Sequence, residues 1–220
     1  MASEDRVLTE YLTEQEQIEL LKSWIKQYSV VILTGVLMAI IGITGWRYWQ
    51  QRQAITLSHA SAVYDEMLTK RAQNDTAGTT VQADKLSTHY PRTVYGQMGA
   101  LMLAREAVIQ KNYPDAIKQL SWVLDHTGSK QIRQLTRIRL ARVYIADNQI
   151  DLALKTLNKV DDKSFNGLID EVKGDAYLAQ KNIDQARESY KQALSELPNA
   201  ESIRPLLEMK YDNLATLPKT

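Results

Sequence analysis

The residue types that carry most enzymatic and metal chemistry are nearly missing from this chain. It has no cysteine, and its three histidines, His59, His89 and His126, lie far apart. Disulfides, thiolate nucleophiles and cysteine-ligated metals are therefore excluded, and no histidine set with metal-ligand spacing remains. There is no glycine-rich phosphate loop, His-Glu helix motif, nucleophile elbow or carboxylate pair at catalytic spacing. Adjacent Asp161 and Asp162 fall in an expected turn and read as solvated loop acids. Met98 and Met102, one helical turn apart, read as core or groove lining. The sequence assigns no catalytic, cofactor-binding or metal-ligating residue and predicts a protein that is not an enzyme and uses no cofactor. What remains is recognition by arginine: Arg105 and Arg142 carry rigid forked donors suited to a carboxylate or a peptide backbone.

These arginines occupy matching places in an internal repeat. Three ungapped segments align on Leu103, Ala104, Ala107, Ala116, Leu120 and Val123; on Leu140, Ala141, Tyr144, Ala153, Leu157 and Val160; and on Gly174, Tyr177, Ala186, Tyr190, Ala193 and Pro198. In each, a small residue stands twelve positions before an alanine. This spacing resembles the tetratricopeptide repeat, in which small residues on helices A and B let the two axes approach. Asn112 to Asp115, Asn148 to Asp151 and Asn182 to Asp184 read as turns whose acids sit at the start of helix B, where carboxylates satisfy free amides. Pro198 is expected to stop the last helix B, and extra residues around Gly128 to form a surface loop. In this register the residues after the small positions, Arg105, Arg142 and Asp175, face a concave surface, with Leu101, Val108, Ile138 and Ile145 lining the same groove.

Upstream, residues 54–71 read as a helix, followed by a polar loop from Gln73 to Thr79 and a short helix to His89 that Tyr90 and Pro91 end. This segment has the size of a degenerate repeat but offers no register. Downstream, Ile203, Leu206, Leu207, Tyr211 and Leu214 form the apolar stripe of a final helix, the cap a repeat array needs.

The N-terminal quarter is different. From Gln27 to Trp46 no residue is charged, and Lys26 and Arg47 bound the stretch. Twenty residues at about 1.5 Å each match the roughly 30 Å hydrocarbon core of a bilayer. Trp24 and Tyr28 at one end, and Trp46, Tyr48 and Trp49 at the other, have the placement of interfacial aromatic belts. A cleaved signal peptide is disfavoured by the acidic lead-in and the bulky residues after the span, and a buried globular helix by apolarity all round. The expectation is one uncleaved transmembrane helix over 27–46, beginning in water near Thr13, where Thr13 and Glu16 form a capping box. Gly35, Ala39 and Gly42 fall on one strip, a surface another membrane helix can approach closely. Lys22 and Lys26 balance Arg47 and Arg52, so the flanking charges leave the orientation open.

The whole chain carries +1, with −3 in residues 1–26 and +4 in the rest. That balance lacks the basic patch of a nucleic-acid binder. The architecture expected is all-α: a membrane helix at 27–46, membrane-proximal helices over 47–96, three tetratricopeptide-like repeats over 97–200, and a capping helix and tail over 201–220.

The string Gly45, Trp46, Arg47, Tyr48, Trp49, the run from Ile138 to Val143, and the ending from Met209 to Leu214 resemble the YfgM family of bacterial membrane proteins. The resemblance covers nearly the whole chain. It implies an ancillary subunit of the SecYEG translocon in the bacterial inner membrane, single-pass, with residues 1–26 as a short cytoplasmic tail and the repeats in the periplasm. It further implies a PpiD-like periplasmic chaperone and exported polypeptides as partners, and no nucleic acid. The alternative from the residues alone is a regulator that sequesters a cytoplasmic factor through the acidic tail.

Overall fold

The computed structural model describes residues 14–160, 162–197 and 203–215. The chain divides into two units, Met1–Ile55 and Thr56–Thr220. Thr13, Asp161 and Pro198, to which the sequence assigns a cap, a loop acid and a helix stop, lie outside the described residues.

In the first unit the backbone is helical from Glu14, and the helix, α1, is continuous to Ala72. Every described side chain from Gln27 to Trp46 is exposed, with Val30 at 71% and Met38 at 73%. The serine and threonine hydroxyls in this stretch are satisfied internally: Ser29 Oγ donates to the Lys26 carbonyl (3.1 Å), and the Thr34 and Thr44 hydroxyls donate to the carbonyls of Val30 (2.9 Å) and Ile40 (2.7 Å). Among the described residues no single helix is both long and apolar enough to cross a membrane. The stretches Leu21–Val31 and Leu33–Ala72, which meet at a 49° bend, pass that test together by length and composition.

The second unit is a succession of helices with no strand among the described residues. After the end of α1 come α2 (Thr76–His89), α3 (Val94–Ile109), α4 (Tyr113–His126), α5 (Lys130–Ala146), α6 (Ile150–Leu157), α7 (Asn166–Ala179), α8 (Ile183–Glu196) and α9 (Arg204–Ala215), with a short 3-10 turn before α7. Packing runs mainly between neighbours in sequence, with α5 also against α7. The core is accordingly a string of apolar clusters: Ala104, Ala107, Ala116 and Leu120 in the first expected repeat, Ala141, Ala153 and Leu157 in the second, and Ala186, Tyr190 and Ala193 in the third, where Leu207 and Leu214 of α9 join.

The small positions are where helices meet. A Cβ on Gly174 would lie 2.3 Å from Tyr190 of the facing helix, and one on Gly99 would lie 2.6 Å from the Ala83 carbonyl oxygen on α2. Each hairpin closes through one residue of positive φ: Lys111 (58°), Asn148 (58°) and Lys181 (61°). Asn112 and Asn182 then cap α4 and α8, accepting from the amides of Asp115 (3.3 Å) and Gln185 (3.2 Å). At the middle turn Asn148 itself takes the left-handed conformation, and Gln149 precedes α6 without a side-chain cap.

Asn74 (φ 56°) closes the hairpin between α1 and α2 in the same way, so α1's end and α2 form a pair in register with the other three. The position seven before the turn residue, small in the others, is Met67 here, and the facing alanine is Thr79; both are buried. Asp75 caps α2, accepting from the Gly78 amide at 2.8 Å. The helix therefore begins at Thr76, within the segment Gln73 to Thr79 expected to be a loop. On α9, Leu207, Tyr211 and Leu214 pack inward as expected, but Leu206 is half exposed and lies off the apolar stripe.

Candidate functional site

The A helices α1, α3 and α5 stand side by side and enclose an open groove of about 500 Å³. That is a size at which a cleft holds a ligand or a short stretch of chain. Three register positions recur in its lining: three before, one after and four after the small residue. These supply Tyr64, Leu68 and Arg71 on α1, Leu101, Arg105 and Val108 on α3, and Arg142 on α5. Met67, Met98 and Met102 complete the floor, and Arg139 stands on the α5 wall. Tyr64 rests against Tyr95 with ring centroids 5.4 Å apart.

The residues expected in a groove thus divide. Leu101, Val108, Arg105 and Arg142 share its lining. Ile138 does not: it is fully buried, in the cluster of Ala141, Ile169 and Val172 where α7 covers α5. Ile145 is half-buried against the same cluster. Asp175 is half-buried and engaged within the protein, accepting from the Tyr190 hydroxyl (2.7 Å) and from Lys210 Nζ (2.8 Å). The cause is α9. It lies against the third repeat's equivalent of the groove face, so Lys210 also reaches Glu171 at 3.1 Å, and Glu171 in turn accepts from Arg142 at 2.8 Å. The strip that is open on the first hairpins is closed at the last.

Arg71 and Arg139, together with the α1 residues, were not expected in the groove. Arg71 follows from the register once Asn74 is recognised as a turn, whereas Arg139 is one helical step off the aligned positions. None of the described residues lining the groove is acidic. Arg105 pairs with its neighbour Glu106 at 2.6 Å and Arg142 with Glu171, while Arg71 and Arg139 make no ion pair or hydrogen bond among the described residues. Crowding against the wall, and secondarily the charge of Arg142, lower the pKa of the Arg139 guanidinium, which nonetheless stays protonated. Among the described residues no group of side chains is arranged to hold a metal.

Gly35, Ala39 and Gly42 lie on exposed helix, and a Cβ at either glycine would meet nothing within 4 Å.

Paired antiparallel helices closed by left-handed turns, with small residues at the crossings and a groove along the A helices, define a tetratricopeptide-like repeat protein. The family model described as a tetratricopeptide repeat-like domain matches residues 22–216. Curated relatives called ancillary SecYEG translocon subunit are 31% identical in Neisseria gonorrhoeae, over 93% of this chain and 98% of that protein, and 29% in Haemophilus influenzae, over 81% and 90%. The Escherichia coli relative of that name is 26% identical over 93% and 98%. The chain belongs to this tetratricopeptide-like family of ancillary SecYEG translocon subunits, the YfgM family, whose members are interaction proteins and not enzymes.

Proposed function

We propose that this chain is a single-pass protein of the bacterial inner membrane whose repeats stand in the periplasm beside the SecYEG translocon, joining it to a PpiD-like chaperone and to exported polypeptides. The observation that carries the translocon reading is similarity to ancillary translocon subunits along almost the full length of both chains. The membrane reading is supported by the charge-free stretch 27–46, whose described side chains are all exposed and whose serine and threonine hydroxyls are satisfied within the helix. A helix of this kind is at home in hydrocarbon, where each backbone and hydroxyl group needs a partner of its own. Gly35, Ala39 and Gly42 would then offer a close-packing face to a membrane partner, and the groove of α1, α3 and α5 a docking place for part of a protein partner.

The test is photo-crosslinking in native membranes from probes placed along 27–46 and in the groove. Adducts with translocon subunits and a periplasmic chaperone are expected. If a correctly inserted protein gives neither, the reading is wrong. A reporter fused after Thr220 should be active only in the periplasm, and cytoplasmic activity would overturn the orientation.

A further inference from the structure

We propose that the groove selects an acidic polypeptide segment in which carboxylates alternate with large apolar side chains, an inference that rests on the protein-interaction reading above. The floor is apolar and includes Met67, Met98 and Met102. Unbranched thioether side chains adapt to many shapes, so such a floor accepts apolar side chains without choosing closely among them. Choice falls to the walls, where Arg71, Arg105, Arg139 and Arg142 bring four guanidiniums and no lining carboxylate faces them.

Two of the four have work to do inside the protein, because Arg105 holds Glu106 and Arg142 holds Glu171. Arg71 and Arg139 have all their donors open among the described residues. Arg139 is also held against a wall and a like charge that both disfavour its cationic form. An incoming carboxylate answers each of these conditions: it supplies bidentate acceptors and offsets the repulsion. A cationic segment would add to the repulsion, and a neutral one would leave the guanidiniums to water.

The guanidiniums stand on three different helices, α1, α3 and α5. An aliphatic anion with a single head group can engage only one part of that set. A chain with repeated carboxylates engages several while its apolar side chains reach the floor between them, and this separates a polypeptide from a fatty acid or a lipid.

The experiment uses the full-length protein in nanodiscs of zwitterionic lipid and a labelled short peptide of alternating Glu and Leu, read by fluorescence anisotropy. The Glu peptide should bind, more weakly as salt rises. The same peptide with Gln for Glu should bind about tenfold more weakly or worse, the loss of one net charge-assisted hydrogen bond, and a Lys version should not bind. The double variant Arg71→Gln, Arg139→Gln should cost about tenfold at an unchanged melting temperature, since neither side chain supports the fold. Lys155→Gln, exposed on α6 away from the groove, should change nothing.

Equal binding of the Glu and Gln peptides, or an unaffected double variant, overturns the proposal. So does binding of oleate in the groove without binding of the Glu peptide. If the peptides fail while translocon adducts still form in native membranes, this inference falls alone. Loss of the adducts removes the reading beneath it.

Discussion

Alanine at position 174 pits two effects of known sign against each other. In an ordinary helix interior Gly→Ala stabilises by about 1 kcal/mol. Here the new Cβ would stand 2.3 Å from Tyr190 Cε1, 2.4 Å from Cδ1 and 2.9 Å from Cζ, where carbon atoms ordinarily rest about 3.5–4 Å apart. The ring cannot swing away. Tyr190 is fully buried, and its hydroxyl is tied to Asp175 at 2.7 Å. Relief requires α7 and α8 to separate, which places the cost near the upper end of the roughly 1–3 kcal/mol typical of overpacking. The steric term wins, and the net loss is about 1–2 kcal/mol, or roughly 2–8 °C in melting temperature for a domain of this size. Thermal loss of helical circular dichroism, followed on the full-length protein in detergent, measures it. The background variant Tyr190→Leu sharpens the test: it is itself destabilising through the cavity it leaves, by about 2–4 kcal/mol, but removes the obstacle. In that background Gly174→Ala should be neutral or stabilising. If Gly174→Ala raises the melting temperature in both backgrounds, the close approach of α7 and α8 is not what selects glycine.

Replacing Glu171 by Gln takes the anion from Arg142 and leaves Lys210 with Asp175 alone. The expected cost is about 1–3 kcal/mol, discounted from the value for a fully buried pair because Arg142 is nearly half exposed, and denaturant unfolding should show it. Tyr190 titrates well above the usual tyrosine range because burial, then the hydrogen bond to Asp175 and the charges of Asp175 and Glu171, disfavour the phenolate. A raised folded-state pKa means the native state holds its proton longer, so stability should fall as pH rises above about 10, where the unfolded tyrosine ionises. Tyr190→Phe should flatten that part of the curve; an unaltered slope would refute the assignment. Lys181→Gly relieves a left-handed lysine and should raise stability by up to about 1 kcal/mol, visible as a higher melting temperature.

Hairpins with small residues at both crossing points announced themselves, since Ala104 with Ala116, Ala141 with Ala153 and Gly174 with Ala186 leave a fixed spacing on the chain. The first hairpin did not, because Met67 and Thr79 occupy those positions and its register rests on a backbone conformation at Asn74 that side-chain pattern does not record. The same difference explains the site. Arg105 and Arg142 could be placed from register alone, while Ile138 and Asp175 sit at equivalent positions whose surroundings are set by α7 and α9. Periodicity tells which way a side chain points from its own helix and is silent on what a later helix lays over it. Leu206 shows the converse, an apolar residue in a plausible stripe that α9's actual docking leaves half exposed.

The chain of charges from Arg142 through Glu171 to Lys210 and Asp175 spans α5, α7 and α9, whereas most packing in this array joins only sequence neighbours. A row of units held by neighbour contacts alone opens from its ends, one unit at a time. The ionic chain binds the last three A-type helices to a common fate, so native-state hydrogen exchange should find α5, α7 and α9 opening as one block. Within that block sits Arg142, which also forms part of the groove wall. A guest carboxylate that drew Arg142 from Glu171 would part α5 from α7 while leaving Lys210 to hold α9 on Glu171 and Asp175, so a filled groove would split that block at α5.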